Sequence, residues 1–174
     1  MEEWDLYDAN GNKINKTTFR GERLQDGEYH LVVNAWVMNS NHEFLISQRS
    51  PNKTFPYRWE CTGGSVLKGE SSIEGAMREL KEELGIEVNP KEAIFIGAKT
   101  RYYVGCPDIL NVWLFQSEVA IEELILQKEE VCNAMWASVE QIEQFIKEGK
   151  FELNAYGEEV LTYGRKGESL RENV

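Results

Sequence analysis

The stretch Gly64-Ser-Val-Leu-Lys-Gly-Glu70, continued by Ser71-Ser-Ile-Glu-Gly-Ala-Met77 and Arg78-Glu-Leu-Lys-Glu-Glu-Leu-Gly-Ile86, reads as a glycine-rich loop entering a helix. Ser71 and Glu74 have capping-box spacing, in which the serine oxygen accepts an orphan N–H and the glutamate reaches back. Gly85 follows the last apolar residue and can take the left-handed conformation that ends a helix. Between these ends Ile73, Ala76, Met77, Leu80 and Leu84 recur at helical spacing, which predicts one buried face.

The charges on this helix carry the chemistry. Glu79, Glu82 and Glu83 are three and four positions apart, so their carboxylates share one side. At about 100° per residue they span about 100°, centred roughly 130° from the apolar stripe. Like charges so placed repel by a few tenths of a kcal/mol per pair. A hard divalent cation such as Mg²⁺, which prefers oxygen ligands, reverses that cost. The alternative is a solvated acidic face balanced by Arg78 and Lys81.

The whole stretch resembles the Nudix box, which decides between these. That pattern is a glycine, five residues, a glutamate, seven residues, then R-E-apolar-x-E-E-x-G-apolar. Gly64, Glu70, Arg78, Glu79, Leu80, Glu82, Glu83, Gly85 and Ile86 fill every specified position. The resemblance implies a hydrolase that cleaves a nucleoside diphosphate linked to another group, using Mg²⁺ or Mn²⁺. It implies that Glu79, Glu82 and Glu83 supply metal carboxylates, and that the Gly64 carbonyl adds an oxygen. It gives Arg78 and Glu70 the task of holding the loop against the helix. Family members often recruit a further carboxylate ahead of a late tryptophan; Glu130, six residues before Trp136, is the first choice and Glu129 the second. Either would ligate metal through water or take the nucleophile's proton.

Composition agrees with this reading. At 174 residues the length fits one domain, and a net charge of −11 argues against a nucleic-acid backbone or an anionic membrane as partner. An acidic protein acting on a small phosphorylated molecule needs a cation between the two. Cys61, Cys106 and Cys132 are odd in number and lack zinc or redox spacing. With no signal peptide and no long apolar run, a reducing cytoplasm is the expected setting. Oligomeric state is not readable.

Along the chain, residues 1–29 read as an N-terminal β-hairpin extension turning at Asp8–Gly11, ahead of a Nudix domain over 30–174. His30–Met38 predicts a central strand and Glu43–Gln48 its return. Arg49, Lys53 and Arg58 then fall in a loop holding Pro51 and Pro56, where cations would face substrate phosphates. Isopentenyl-diphosphate isomerases, related to the same superfamily, carry a similarly spaced Arg and Lys that bind diphosphate. Strands are predicted over Ala93–Val104, Ile109–Phe115 and the approach to Trp136. Ser138 caps a helix stopping at Gly149, and Leu153, Tyr156, Val160 and Leu161 predict one more helix before a charged tail. Strands with a few helices make an α+β protein; the resemblance supplies the topology, a Nudix-type α/β/α sandwich around a mixed sheet.

Two other functions compete. The isomerases need a cysteine where Gly63 or Gly64 stands here, and they degrade the Arg-Glu pair that Arg78-Glu79 keeps intact. A non-catalytic nucleotide-binding module would be expected to lose box carboxylates, and none is lost.

Overall fold

A computed structural model describes residues 1–166. The chain opens with an antiparallel hairpin, β1 (Glu3–Tyr7) and β2 (Lys13–Phe19). Its turn is closed by Asp8, whose Oδ1 accepts the N–H groups of Asn10 and Asn12 at 2.8 and 2.9 Å.

The main sheet comprises β3 (His30–Met38), β4 (Phe44–Arg49), β5 (Trp59–Glu60), β6 (Thr62–Ser65), β7 (Ile94–Arg101), β8 (Asp108–Gln116) and β9 (Val131–Ala137). The order β5-β4-β3-β8-β7 runs across it, with β6 added on β3 and β9 on β4. β3 and β8 run parallel from His30↔Asp108 to Met38↔Gln116, whereas β7 returns antiparallel on β8. The sheet is therefore mixed.

β3 is apolar at consecutive positions because both of its faces are covered. Val33, Ala35 and Val37 point to a core shared with Ala76, Leu80 and Leu84 of α1 (Ser72–Leu84). Trp36 and Met38 point the other way, to a core shared with Val139 and Ile142 of α2 (Val139–Lys147) and Val160 and Leu161 of α3 (Gly157–Lys166). Among the described residues, one helix on one face and two on the other make an α/β/α sandwich. No helix among the described residues is long and apolar enough to cross a membrane.

Both predicted helix starts hold. Ser71 and Ser138 are N-caps with complete capping boxes, and Gly85 ends α1 with φ +73°. Three details differ from the sequence reading. The glycine-rich segment before the box helix is partly a strand, β6, paired from Val32↔Ser65 to Ala35↔Thr62; glycine's weak β preference hides it. The strand predicted over Ala93–Val104 ends at Arg101, leaving Tyr102, Tyr103 and Val104 exposed in the turn before β8. Leu153 and Tyr156 precede α3 rather than belonging to it. The charged tail lies outside the described residues.

Candidate functional site

The box is organised by Arg78. Its Nε donates to Glu70 Oε1 at 2.8 Å and its Nη2 to the Ser65 carbonyl at 2.8 Å. Its Nη1 reaches Glu79 Oε1 at 2.8 Å and Glu82 Oε2 at 3.0 Å. Glu70 in turn accepts the Leu67 N–H at 3.0 Å. One guanidinium thus ties β6, the loop after it and α1 together, which is what a planar fork of five donors does well.

The two glycines at the end of β6 are demanded by close approach. A side chain at Gly63 would meet the Val33 carbonyl oxygen at 2.5 Å and Asn34 Nδ2 at 2.6 Å. One at Gly64 would run into the Glu79 carboxylate. Helix and strand therefore pack so closely that the Glu79 carboxylate lies against the backbone of Gly64.

The three helix glutamates are not equivalent. Glu83 is 5 % exposed, whereas the Glu82 side chain is 53 % exposed and Glu79 lies between. The acidic patch does not stand apart from the buried face: Glu83 is seven positions after Ala76, nearly two turns, and so lies at the margin of the apolar stripe. Burial pushes the Glu83 carboxyl up to about 8, against the pull of Lys53 and with the push of Glu79, Glu60 and Glu130. Burial also raises Glu79, in spite of its pairing with Arg78.

Opposite α1, the pairing of β9 with β4 brings two distant segments together. Arg49 pairs with Val131, and the Glu130 carbonyl accepts the Ser50 N–H at 2.9 Å. Lys53 Nζ then lies 2.6 Å from Glu130 Oε2, 3.8 Å from Glu60 Oε1 and 4.0 Å from Glu83 Oε1. Arg49 donates through Nη1 to both Glu60 oxygens at 2.9 and 2.7 Å, and through Nε to the Thr54 carbonyl at 2.8 Å.

These groups line a cleft of about 440 Å³, with Gly63, Gly64, Arg78, Glu79, Glu82, Glu83, Arg49, Lys53 and Glu130 on its walls. Of the predicted cations, Arg58 is separate. It pairs with Glu152 at 3.2 Å and lies over the Phe55 ring, because it precedes β5 on the side facing α2. Glu129 does not line the cleft, although its carbonyl accepts the Ser50 hydroxyl. Sequence reading missed Glu60, which holds Arg49 and lies near Lys53, and it missed Glu2 and Arg20, which reach the cleft from the hairpin. An acidic residue one strand away from two lone cations was the available signal for Glu60; nothing local marks Arg20.

Five carboxylates and four cationic side chains of the described residues line the cleft, all carboxylate and carbonyl oxygens being hard donors. Among the described residues no three His, Cys, Asp or Glu side chains converge as a metal-ligand cluster. Arg78 draws Glu79 and Glu82 to itself, and Lys53 draws Glu130. The oxygen donors suit a divalent ion, and the buried, poorly compensated Glu83 is the group that gains most from one. Cys61 is buried outside the cleft, with its thiol pushed well above its ordinary range by burial. No thiol stands ready for isomerase chemistry among the cleft residues.

Comparison with known proteins agrees with this architecture. An uncharacterised Nudix hydrolase of Listeria monocytogenes is 38 % identical over 154 residues, covering 87 % of this chain and 88 % of its own length. An isopentenyl-diphosphate Δ-isomerase of Escherichia coli is 32 % identical over 74 residues, covering 41 % of each chain. The crystal structure of DR0079 from Deinococcus radiodurans superposes with a TM-score of 0.71 at 23 % identity, covering 91 % of this chain and 97 % of that one. The NUDIX domain family model matches residues 28–156, which include the whole clamp of Arg78 and the cleft residue Glu130. With the family model matching most of the chain and a relative 38 % identical over nearly all of its own length, the chain belongs to the Nudix hydrolase family.

Proposed function

We propose that this chain hydrolyses a diphosphate bond in a small nucleoside diphosphate derivative, with Mg²⁺ or Mn²⁺ bound at the helix glutamates. The observation that carries the reading is Glu83: a buried carboxyl on a cleft wall, its nearest cation among the described residues a lysine ammonium at 4.0 Å. Glu79, Glu82, Glu83 and the Gly64 carbonyl are the oxygen donors that would hold metal. Such an ion neutralises phosphoryl oxygens and lowers the pKa of an attacking water.

The remaining roles belong to the chain itself. Arg78 and Glu70 fix the loop to α1, so the donors keep their spacing. Arg49 and Lys53 offer positive charge to substrate phosphates, and Glu60 holds Arg49 in place. Glu130, 40 % exposed and paired to Lys53, is the carboxylate able to take a proton from the nucleophile or to orient it. The setting we infer is the cytoplasm, and the partner is the small-molecule substrate rather than nucleic acid or membrane.

The test is phosphate or nucleotide release from a panel of nucleoside di- and triphosphates, nucleotide sugars, ADP-ribose, dinucleoside polyphosphates and coenzyme A, with Mg²⁺ or Mn²⁺. Turnover that disappears on chelation and in Glu83→Gln is expected. Metal binding without turnover of any compound makes the chain a binding module. Isomerised product from an isoprenoid diphosphate makes it an isomerase.

A further inference from the structure

One wall of the cleft comes from residues outside the box and outside the main sheet. Arg20 follows β2, its backbone N–H donating to the Glu2 carbonyl at 3.0 Å and its Nη1 to Glu2 Oε1 at 2.7 Å. Both residues line the cleft together with Gly63, Gly64 and Ser65. The hairpin that carries them is fastened to the loop of the box. The Lys68 N–H donates to the Glu3 carbonyl at 2.8 Å, the Gly69 N–H donates to Asp5 Oδ2 at 2.7 Å, and Lys68 Nζ pairs with Glu3 at 2.8 Å. Arg20 is therefore held at the cleft by a fixed element.

The four cations of the cleft differ in how far they are already engaged. Arg78 is committed to Glu70, Glu79, Glu82 and the Ser65 carbonyl, and Arg49 to Glu60 and Thr54. Lys53 is 20 % exposed and within 4.0 Å of three carboxylates. Arg20 makes, among the described residues, one ion pair through one nitrogen, and its side chain is 66 % exposed. Its Nε and Nη2 donors have no partner among the described residues. A half-exposed pair with Glu2 is a weak competitor, whereas a phosphate accepts from a guanidinium fork bidentately. The committed cations sit on the β4 and α1 walls beside the carboxylates, so Arg20 is placed for an anion that those walls do not hold.

Resting on the hydrolase reading above, we propose that Arg20 is a specificity residue that grips a phosphate beyond the diphosphate under attack. The chain then favours substrates with three or more phosphates over diphosphates capped by a neutral sugar.

Wild type, Arg20→Met and Arg20→Lys are compared on ATP, GTP, CTP and UTP against ADP-ribose and UDP-glucose. The dissociation constant of an α,β-methylene nucleoside triphosphate is measured alongside by calorimetry, and the fold is checked by circular dichroism. Losing a bidentate charge-assisted contact predicts that Arg20→Met loses at least about tenfold more kcat/KM on triphosphates than on the diphosphate sugars, through KM. Analogue binding should weaken by the same factor, and Arg20→Lys should recover part of both. Equal losses on the two classes, an unchanged dissociation constant, or a wild type that prefers the diphosphate sugars overturns the proposal. If wild type turns over nothing, the hydrolase reading fails; calorimetry alone then decides whether Arg20 holds the triphosphate.

Discussion

The Glu79 carboxylate fills the space into which a side chain at Gly64 would project. Strand and helix are in contact at that point without a Cβ between them, and the two glycines before the helix consequently fail in different ways when changed. In Gly64→Ala the obstacle is the far end of a flexible side chain, which can rotate away. The fold should survive with a melting temperature within about 4 °C of wild type, while activity and Mg²⁺ affinity drop by about tenfold or more because Glu79 is displaced. In Gly63→Ala the obstacle includes the Val33 carbonyl of the central strand. Stability should fall by about 1–3 kcal/mol in urea melts. A Gly64→Ala protein of full activity contradicts this account.

Arg78→Ala removes the donor that Glu70, Glu79, Glu82 and the Ser65 carbonyl share. The carboxylates left behind are partly exposed, so the stability cost should be about 1–3 kcal/mol, below that of a fully buried pair. Arg78→Lys should recover little, since an ammonium cannot present a fork. Thermal melts and steady-state kinetics of the two variants check this together.

Glu83 ties stability to pH. Its carboxyl is pushed to about 8 in the folded chain, against an ordinary value of 4.5. Between those values the folded state binds more protons than the unfolded one, so metal-free stability should fall as pH rises from about 4.5 to 8. The loss amounts to about a few kcal/mol for a shift of this size. Urea melts from pH 5 to 9 should show the decline in wild type and a flatter profile in Glu83→Gln. Adding Mg²⁺ at pH 8 should stabilise wild type and leave Glu83→Gln nearly where it was.

The two cation sites separate by substitution. Arg58 belongs to the surface near α2, paired with Glu152, so Arg58→Ala should hold kcat/KM within about threefold. Lys53→Met strips Glu130 and Glu83 of their shared cation and should lower kcat/KM by about tenfold or more. A larger loss from Arg58→Ala than from Lys53→Met would return Arg58 to the site.

What the sequence made legible was local. Ser71 with Glu74, Ser138 and Gly85 announce helix ends through local bonds, and β3 announces its central place by being apolar on both faces. The Arg78–Glu70 clamp was implied by the box pattern and spans eight residues. What stayed hidden depends on pairing between distant strands. Glu130 meets Lys53 only because β9 lies on β4, and Arg58 leaves the cleft because of which side of β5 it approaches from. The split among Glu79, Glu82 and Glu83 needed the actual depth of α1 against β3 and β6, which helical angle alone leaves open.

The bond from Gly69 to Asp5 has a consequence for how such a chain can diverge. It fastens an N-terminal ribbon to the box loop, while Tyr7 of that ribbon packs in the core beneath α1. Substitution at Glu2 or Arg20, which line the cleft, can therefore change what is admitted with the box carboxylates left in place, whereas Trp4 and Tyr7 are held by His30 and the core.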